Sequence, residues 1–176
     1  MLEIDGLSKN TVYEVMFQLL YVTNWSWFKF EDLIRARYPE VIKSQEYLEI
    51  NEEVGSREAK GLAKVLGISG DGIGSLIQLL QCSHWAVFEH FEVEKLTEES
   101  CRMRVIDCST HRAAKKWGME PYECGDLTLL CLRGFCNVIN QKVSIRRVFT
   151  LPEVRPNGIP ENVSCEWVLS IEGAKT

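Results

Sequence analysis

The chain has 176 residues, 45% hydrophobic and 26% charged, with a formal net charge of −5, which is the composition of a globular protein with room for one sizeable core. The acidic balance argues against nucleic acid as a partner, because phosphate contacts need a basic face. No apolar run reaches the roughly 20 residues of a membrane-spanning helix, and acidic Glu3 and Asp5 do not resemble the start of a secretion signal, so we expect a cytoplasmic protein without membrane contact.

The cysteine count points in the same direction. Seven cysteines are an odd number for a secreted disulfide framework, and a chain of this length does not need one. We expect them to be reduced and mostly packed as small hydrophobic residues. They are Cys82, Cys101, Cys108, Cys124, Cys131, Cys136 and Cys165.

The N-terminal half has the periodicity of helices. Apolar residues recur at helical spacing after a capping-box pattern at Thr11, and Asn24 and Ser56 are placed to cap later helices. Pro39 and Gly67 are placed to end two of them. The predicted helices are Thr11–Val22, one from Trp25 to Pro39, Pro39–Val54, Arg57–Leu66 and Asp71–Gln81.

The second half changes to a period of two. Alternating residues predict strands over His84–Leu96 and Cys101–Cys108 joined as a hairpin, and later over Lys142–Leu151 and Val163–Ile171. Between the two pairs, helices are predicted over Ser109–Trp117 and Leu127–Ile139. The fold class is therefore α+β, with an N-terminal helical layer packed on a four-stranded antiparallel sheet of chain order ββααββ. We expect one domain, 1–176, helical to about residue 82 and sheet-containing from about residue 83.

One cysteine lies at a turn from strand to helix. The predicted strand ends at Cys108, and Ser109 is placed to cap the helix that follows. The N–H groups of a first helical turn favour an anion, which would stabilise the Cys108 thiolate. His111 lies about one turn away, and Asp107 or Glu89 could orient or exchange a proton. A buried structural cysteine beside a solvent-facing histidine is the alternative interpretation.

Several short motifs are spread along the chain. They are Trp27-Phe28 with Glu31, Arg57-Glu58-Ala59, Leu66-Gly67-Ile68, Cys108 with His111 to Ala114, Trp117-Gly118, Tyr122-Glu123-Cys124, Gly134-Phe135, Asn140 and Cys165-Glu166-Trp167. Together they resemble the aminothiazoline-carboxylate hydrolase-like family of mostly uncharacterised cytosolic prokaryotic proteins. The second half of the chain is more remotely similar to the small-molecule-binding domain of the vinyl-reductase type. The first resemblance implies hydrolytic opening of a cyclic C=N–C–S ring, and it matches Cys108, Cys124 and Cys165 to recurring cysteines of that family but leaves His111 unmatched.

Three functional hypotheses remain open. A C–N hydrolase acting on a cyclic amidine-like substrate would use Cys108 as nucleophile, His111 as base and Asp107 as the supporting carboxylate. A non-catalytic module would bind a small apolar molecule. A metal-binding protein would hold an ion, with zinc the candidate, through Cys108, Cys124 and Cys165, joined by His111. A homo-oligomer is compatible with all three. The aromatic residues predicted to line a ligand site are Trp27, Phe28, Trp85, Phe88, Tyr122 and Trp167.

Overall fold

The structure is a computed structural model that describes residues 6–171. Its contacts divide the chain into two compact units, the first ending at Ser44 and the second beginning at Gln45. The sequence had placed the boundary between the helical part and the sheet-containing part near residue 82. The two units are described separately below.

The first unit consists of one long helix and a short 3₁₀ turn. Helix α1 spans Lys9–Arg37 and begins where the Ser8 hydroxyl accepts a hydrogen bond from the Thr11 N–H; a 3₁₀ helix follows at Val41–Lys43. The predicted break near Asn24 is wrong. Helix α1 contains neither glycine nor proline. The Thr23 hydroxyl donates to the Leu19 carbonyl at 2.9 Å, so its hydrogen-bonding capacity is satisfied within the helix.

The second unit carries five helices within the described residues. They are α2 Gln45–Leu66, α3 Ile73–Leu80, α4 His84–Phe88, α5 Ser109–Lys116 and α6 Gly125–Ile139. Helix α2 runs unbroken through Gly55 and Ser56, where the sequence predicted two helices. Gly55 packs against α6, since a Cβ there would lie 1.9 Å from the Cys131 carbonyl oxygen. The glycine therefore allows a close helix crossing and does not end a helix.

Four antiparallel strands form the sheet of the second unit, which confirms the predicted α+β class and chain order. They are β1 His90–Thr97, β2 Ser100–Ile106, β3 Val143–Thr150 and β4 Val163–Ile171, arranged in the order β1-β2-β4-β3. Central strand β4 pairs Cys165 with Val105 on one side and with Thr150 on the other. The sheet therefore brings the ends of β2 and β3 to the beginning of β4.

The residues before β1 are helical, although they were predicted to begin the strand. Glu58 on α2 accepts a hydrogen bond from the His84 N–H at 2.6 Å, and its other oxygen lies 2.7 Å from His84 Nδ1. Trp85 is buried in contact with Phe135 of α6, with ring centroids 6.0 Å apart. These contacts involve distant parts of the chain. They outweigh the alternating pattern of residues that predicted a strand here.

The core of the second unit lies between one face of the sheet and helices α2, α3 and α6. Trp167 and Met103 contribute from the sheet, and Phe135, Leu132 and Leu76 from the helices, each fully buried. Within residues 6–171, no helix is both long enough and apolar enough to cross a membrane.

Candidate functional site

The turn between β2 and α5 is tied to the neighbouring end of β4. Asp107 adopts a positive φ of 51°, and its N–H donates to the Asn162 carbonyl at 2.9 Å. The next N–H, of Cys108, donates to the Ser164 hydroxyl at 2.9 Å. The Asp107 carboxylate pairs with Arg112 on α5 at 2.6 Å. The left-handed residue and these bonds together fix where α5 begins.

A carboxylate from another element occupies the N-terminus of α5. Glu89 accepts hydrogen bonds from the Ser109 N–H and the Ser109 hydroxyl, each at 2.6 Å. One of its oxygens also lies 3.9 Å from Cys108 Sγ. The positive end of the helix is thus already matched by a negative group. Glu89, not Cys108, is the anion that this helix end stabilises.

The Cys108 thiol is consequently difficult to ionise. Burial raises its pKa to about 12, and the charges of Glu89 and Cys124 add to the increase. The backbone N–H groups of His111 and Thr110 lower the pKa, as expected at a helix start, but their effect is smaller. The predicted stabilisation of the thiolate is therefore wrong, because burial and Glu89 outweigh the helix end.

The His111 ring lies beside a different cysteine. Its Nε2 is 3.8 Å from Cys124 Sγ, and its ring meets the Tyr122 ring edge-on with centroids 5.8 Å apart. Burial lowers the His111 pKa, and Glu120 partly offsets this. Such a histidine is neutral at pH 7. The His111 backbone N–H, by contrast, is one of the two backbone groups that stabilise the charged form of Cys108.

The three cysteines matched by the family resemblance interact with one another. Cys124 raises the pKa of Cys108, and both raise the pKa of Cys165, which reaches about 12 mainly through burial. The Trp167 side chain acts in the opposite direction on Cys165. Among residues 6–171, however, no three His, Cys, Asp or Glu side chains are grouped so that they could hold a metal ion. The zinc hypothesis therefore has no ligand group in the part of the chain that is described.

A cavity of about 470 Å³ opens at this turn. The three residues predicted as catalytic, Asp107, Cys108 and His111, all line it. Its walls come from the turn after β2, from α5, from the loop that precedes α6, from the residues that follow edge strand β3 and from the beginning of β4. The other lining residues are Arg112, Lys115, Glu120, Pro121, Tyr122, Leu151, Pro152 and Ser164.

The aromatic residues predicted to bind a ligand are dispersed. Of the six, all within the described chain, Tyr122 alone lines the cavity. Trp85 and Trp167 belong to the core of the second unit, where they are 8% and 0% exposed, and Phe88 ends α4. Trp27 and Phe28 lie on α1 in the first unit. Large aromatic rings such as those of Trp85 and Trp167 contribute to core packing and not to the cavity.

Sequence reasoning missed most of the cavity wall. Lys115 follows His111 by four residues, and Arg112 precedes Lys115 by three. These are the spacings of one helical face, a signal that could have placed both basic residues at the site. Leu151, Pro152 and Ser164 are distant in sequence, and their contribution depends on the pairing of β4 with its two neighbours. No local pattern could have identified those three.

The chain matches the model of a family of unknown function, DUF6125, over residues 40–171. It belongs to this family. The match covers every strand and all cavity-lining residues, and it leaves out α1. No curated protein and no solved structure matches the chain. For this DUF6125 protein, the resemblance to aminothiazoline-carboxylate hydrolases stays a prediction.

Proposed function

We propose that the protein binds a small organic molecule in the cavity at the start of α5. The observation that carries the proposal is the cavity itself. Its volume of about 470 Å³ falls within the roughly 300–1,000 Å³ typical of sites for small ligands. It also collects a half-buried thiol, Cys108, and a histidine with a lowered pKa, His111, a combination typical of binding and active sites.

The lining indicates an amphiphilic ligand. Tyr122, Pro121 and Leu151 supply apolar surface, and Lys115 and Glu120 supply one charge of each sign. A ligand with an apolar ring and polar substituents would satisfy both kinds of wall. A purely aliphatic molecule would leave the charged groups without partners.

A cavity-filling variant tests binding. Leu151→Trp would place a large ring at the cavity wall, whereas Val154→Trp adds the same ring three residues away at a side chain 94% exposed. The probe set is a panel of cyclic amidines and aromatic acids, including 2-aminothiazoline-4-carboxylate, followed by ligand-observed NMR. We expect hits that bind wild type and Val154→Trp but not Leu151→Trp. Hits that bind all three proteins equally would place the site elsewhere, and a panel without hits would count against this ligand class.

Hydrolysis of a C–N bond is the second candidate function. It is favoured by one observation, that Cys108, His111 and Asp107 line the same cavity. The pKa of Cys108 near 12 acts against it, because the thiolate is the nucleophile. A substrate would have to displace solvent and bring its own electrostatic stabilisation before the thiol could react. Binding without turnover is therefore the function that the geometry supports best.

Turnover of 2-aminothiazoline-4-carboxylate, followed by NMR, separates the two candidates. If the protein is a hydrolase, Cys108→Ser abolishes turnover and leaves binding within the cavity intact. Cys82→Ser, which replaces an exposed cysteine, serves as the control. If wild-type protein binds the compound and does not change it, the hydrolase candidate fails for this substrate and the binding proposal stands.

A further inference from the structure

Helix α1 presents apolar side chains at the spacing of a coiled coil. Alternating steps of three and four residues connect six exposed positions, an average period of 3.5 residues over nearly three heptads. We call these positions the α1 stripe. They are Tyr13, Met16, Leu20, Thr23, Trp27 and Phe30.

The stripe is exposed in the structure. Tyr13, Met16 and Phe30 are 65%, 57% and 63% exposed, and Leu19 beside them is 65% exposed. Large contiguous apolar surfaces on soluble proteins mark places where another molecule binds. The exposed stripe therefore needs a partner.

From these observations, we propose that two copies of the chain associate through their α1 stripes. This proposal is independent of the cavity, which is lined by residues of the second unit. The regular period of 3.5 residues is the pattern by which one helix packs side by side with another helix.

The area is sufficient for a dimer. The aromatic and aliphatic residues of the stripe and Leu19 are each 43–65% exposed and together offer roughly 600–700 Å² per copy. Two copies would then bury on the order of 1,300 Å², within the range of stable protein interfaces. The same stripe is free of charge, so pairing brings no like charges together.

The charges of α1 disfavour a membrane surface as the occupant. Helices that lie on membranes carry lysine and arginine on a polar face. Between residues 10 and 28, the single charged side chain of α1 is Glu14. A stretch without a basic residue has no electrostatic attraction to anionic lipid.

Two matched double variants test the stripe. Met16→Glu with Leu20→Glu changes two stripe residues that are 57% and 43% exposed. Val15→Glu with Val22→Glu changes two residues outside the stripe, which lie about 100° or more around α1 from both Met16 and Leu20. Their exposures are nearly equal to those of the stripe pair, 42% and 56%. Both proteins gain the same charge on the same helix. Sedimentation equilibrium of the full chain gives the mass.

We expect wild type and Val15→Glu/Val22→Glu to have twice the 20.2 kDa mass of one chain, and Met16→Glu/Leu20→Glu to be monomeric. Circular dichroism checks that each protein is folded. A monomeric wild type overturns the proposal, as does loss of the dimer in both variants or in neither. Wild type that is monomeric and floats with phosphatidylglycerol vesicles would assign the stripe to a membrane instead.

A third variant strengthens the stripe and so does not depend on a disrupted protein remaining folded. Thr23→Leu replaces the polar member of the stripe by leucine, and the hydroxyl it removes bonds only within α1, to the Leu19 carbonyl. Two leucines buried per dimer should lower the dissociation constant by roughly tenfold. An unchanged or raised dissociation constant contradicts pairing through this stripe.

Discussion

Replacing Gly134 by alanine should be among the most destabilising single changes in the second unit. The added Cβ would lie 1.8 Å from the Glu52 carbonyl oxygen on α2, and the reciprocal change at Gly55 would place a Cβ 1.9 Å from the Cys131 carbonyl oxygen. An ordinary carbon–oxygen contact begins at roughly 3.3 Å, so α2 and α6 would have to separate by roughly 1.5 Å. The obstacle is backbone, which cannot rotate away as a side chain can.

The magnitude follows from two opposing effects. Overpacking a core costs about 1–3 kcal/mol, occasionally more, and a clash with backbone belongs at the upper end. Alanine returns about 1 kcal/mol as the better helix former. We therefore expect Gly134→Ala to lower the free energy of unfolding by about 2 kcal/mol or more, a large fraction of the roughly 5–15 kcal/mol of an average domain.

The assay is urea unfolding followed by circular dichroism, with Gly61→Ala as the matched control. Gly61 lies on the same helix as Gly55, and a Cβ there would have no atom within 4 Å. That substitution should raise the free energy of unfolding by about 0.5–1 kcal/mol. Should Gly134→Ala prove as stable as wild type while Gly61→Ala behaves as expected, the close crossing of α2 and α6 would be refuted.

The electrostatics of the site lead to three further predictions. In competition labelling with iodoacetamide, exposed Cys82 should react well before Cys108, because burial and Glu89 raise the Cys108 pKa to about 12; equal rates would contradict this. Glu89→Gln should lower the Cys108 pKa and speed its alkylation, while costing about 1 kcal/mol through the weaker cap of α5; a slower reaction would show that Glu89 does not act on the thiol. Because the folded pKa of His111 lies below its ordinary value of 6.5, the unfolded chain takes up the proton first and stability falls as the pH drops below about 6.5. The variant His111→Gln should no longer lose this stability between about pH 7 and about pH 5.5, whereas the same change at exposed His90 should leave the loss in place. Urea unfolding at both pH values measures the free energy of unfolding.

Most elements of the second unit could be read from periodicity. The last strand, Val163–Ile171, has the predicted bounds, and α5 begins at the predicted residue, Ser109. Both depend on patterns within a few residues, the alternation of a half-buried strand and the cap of a helix. The predictions were wrong where residues that resemble a local signal serve a tertiary contact instead. Ser56 was interpreted as the cap of a new helix, but α2 is continuous there and the neighbouring Gly55 is a packing contact. His84 was placed in a strand, although Glu58 caps a short helix there.

For the candidate site, the sequence by itself placed Cys108 next to a helix start and His111 one turn beyond it, because that distance is set by helix geometry alone. Only the tertiary structure decided the charge state of Cys108, since burial and the carboxylate of Glu89 come from elements that meet it through folding. The cavity wall from Leu151 and Ser164 was decided in the same way, by the pairing of β4 between two strands distant in sequence. Local periodicity is written into neighbouring residues, whereas desolvation and Coulomb interactions depend on distances between segments that no short stretch of sequence encodes.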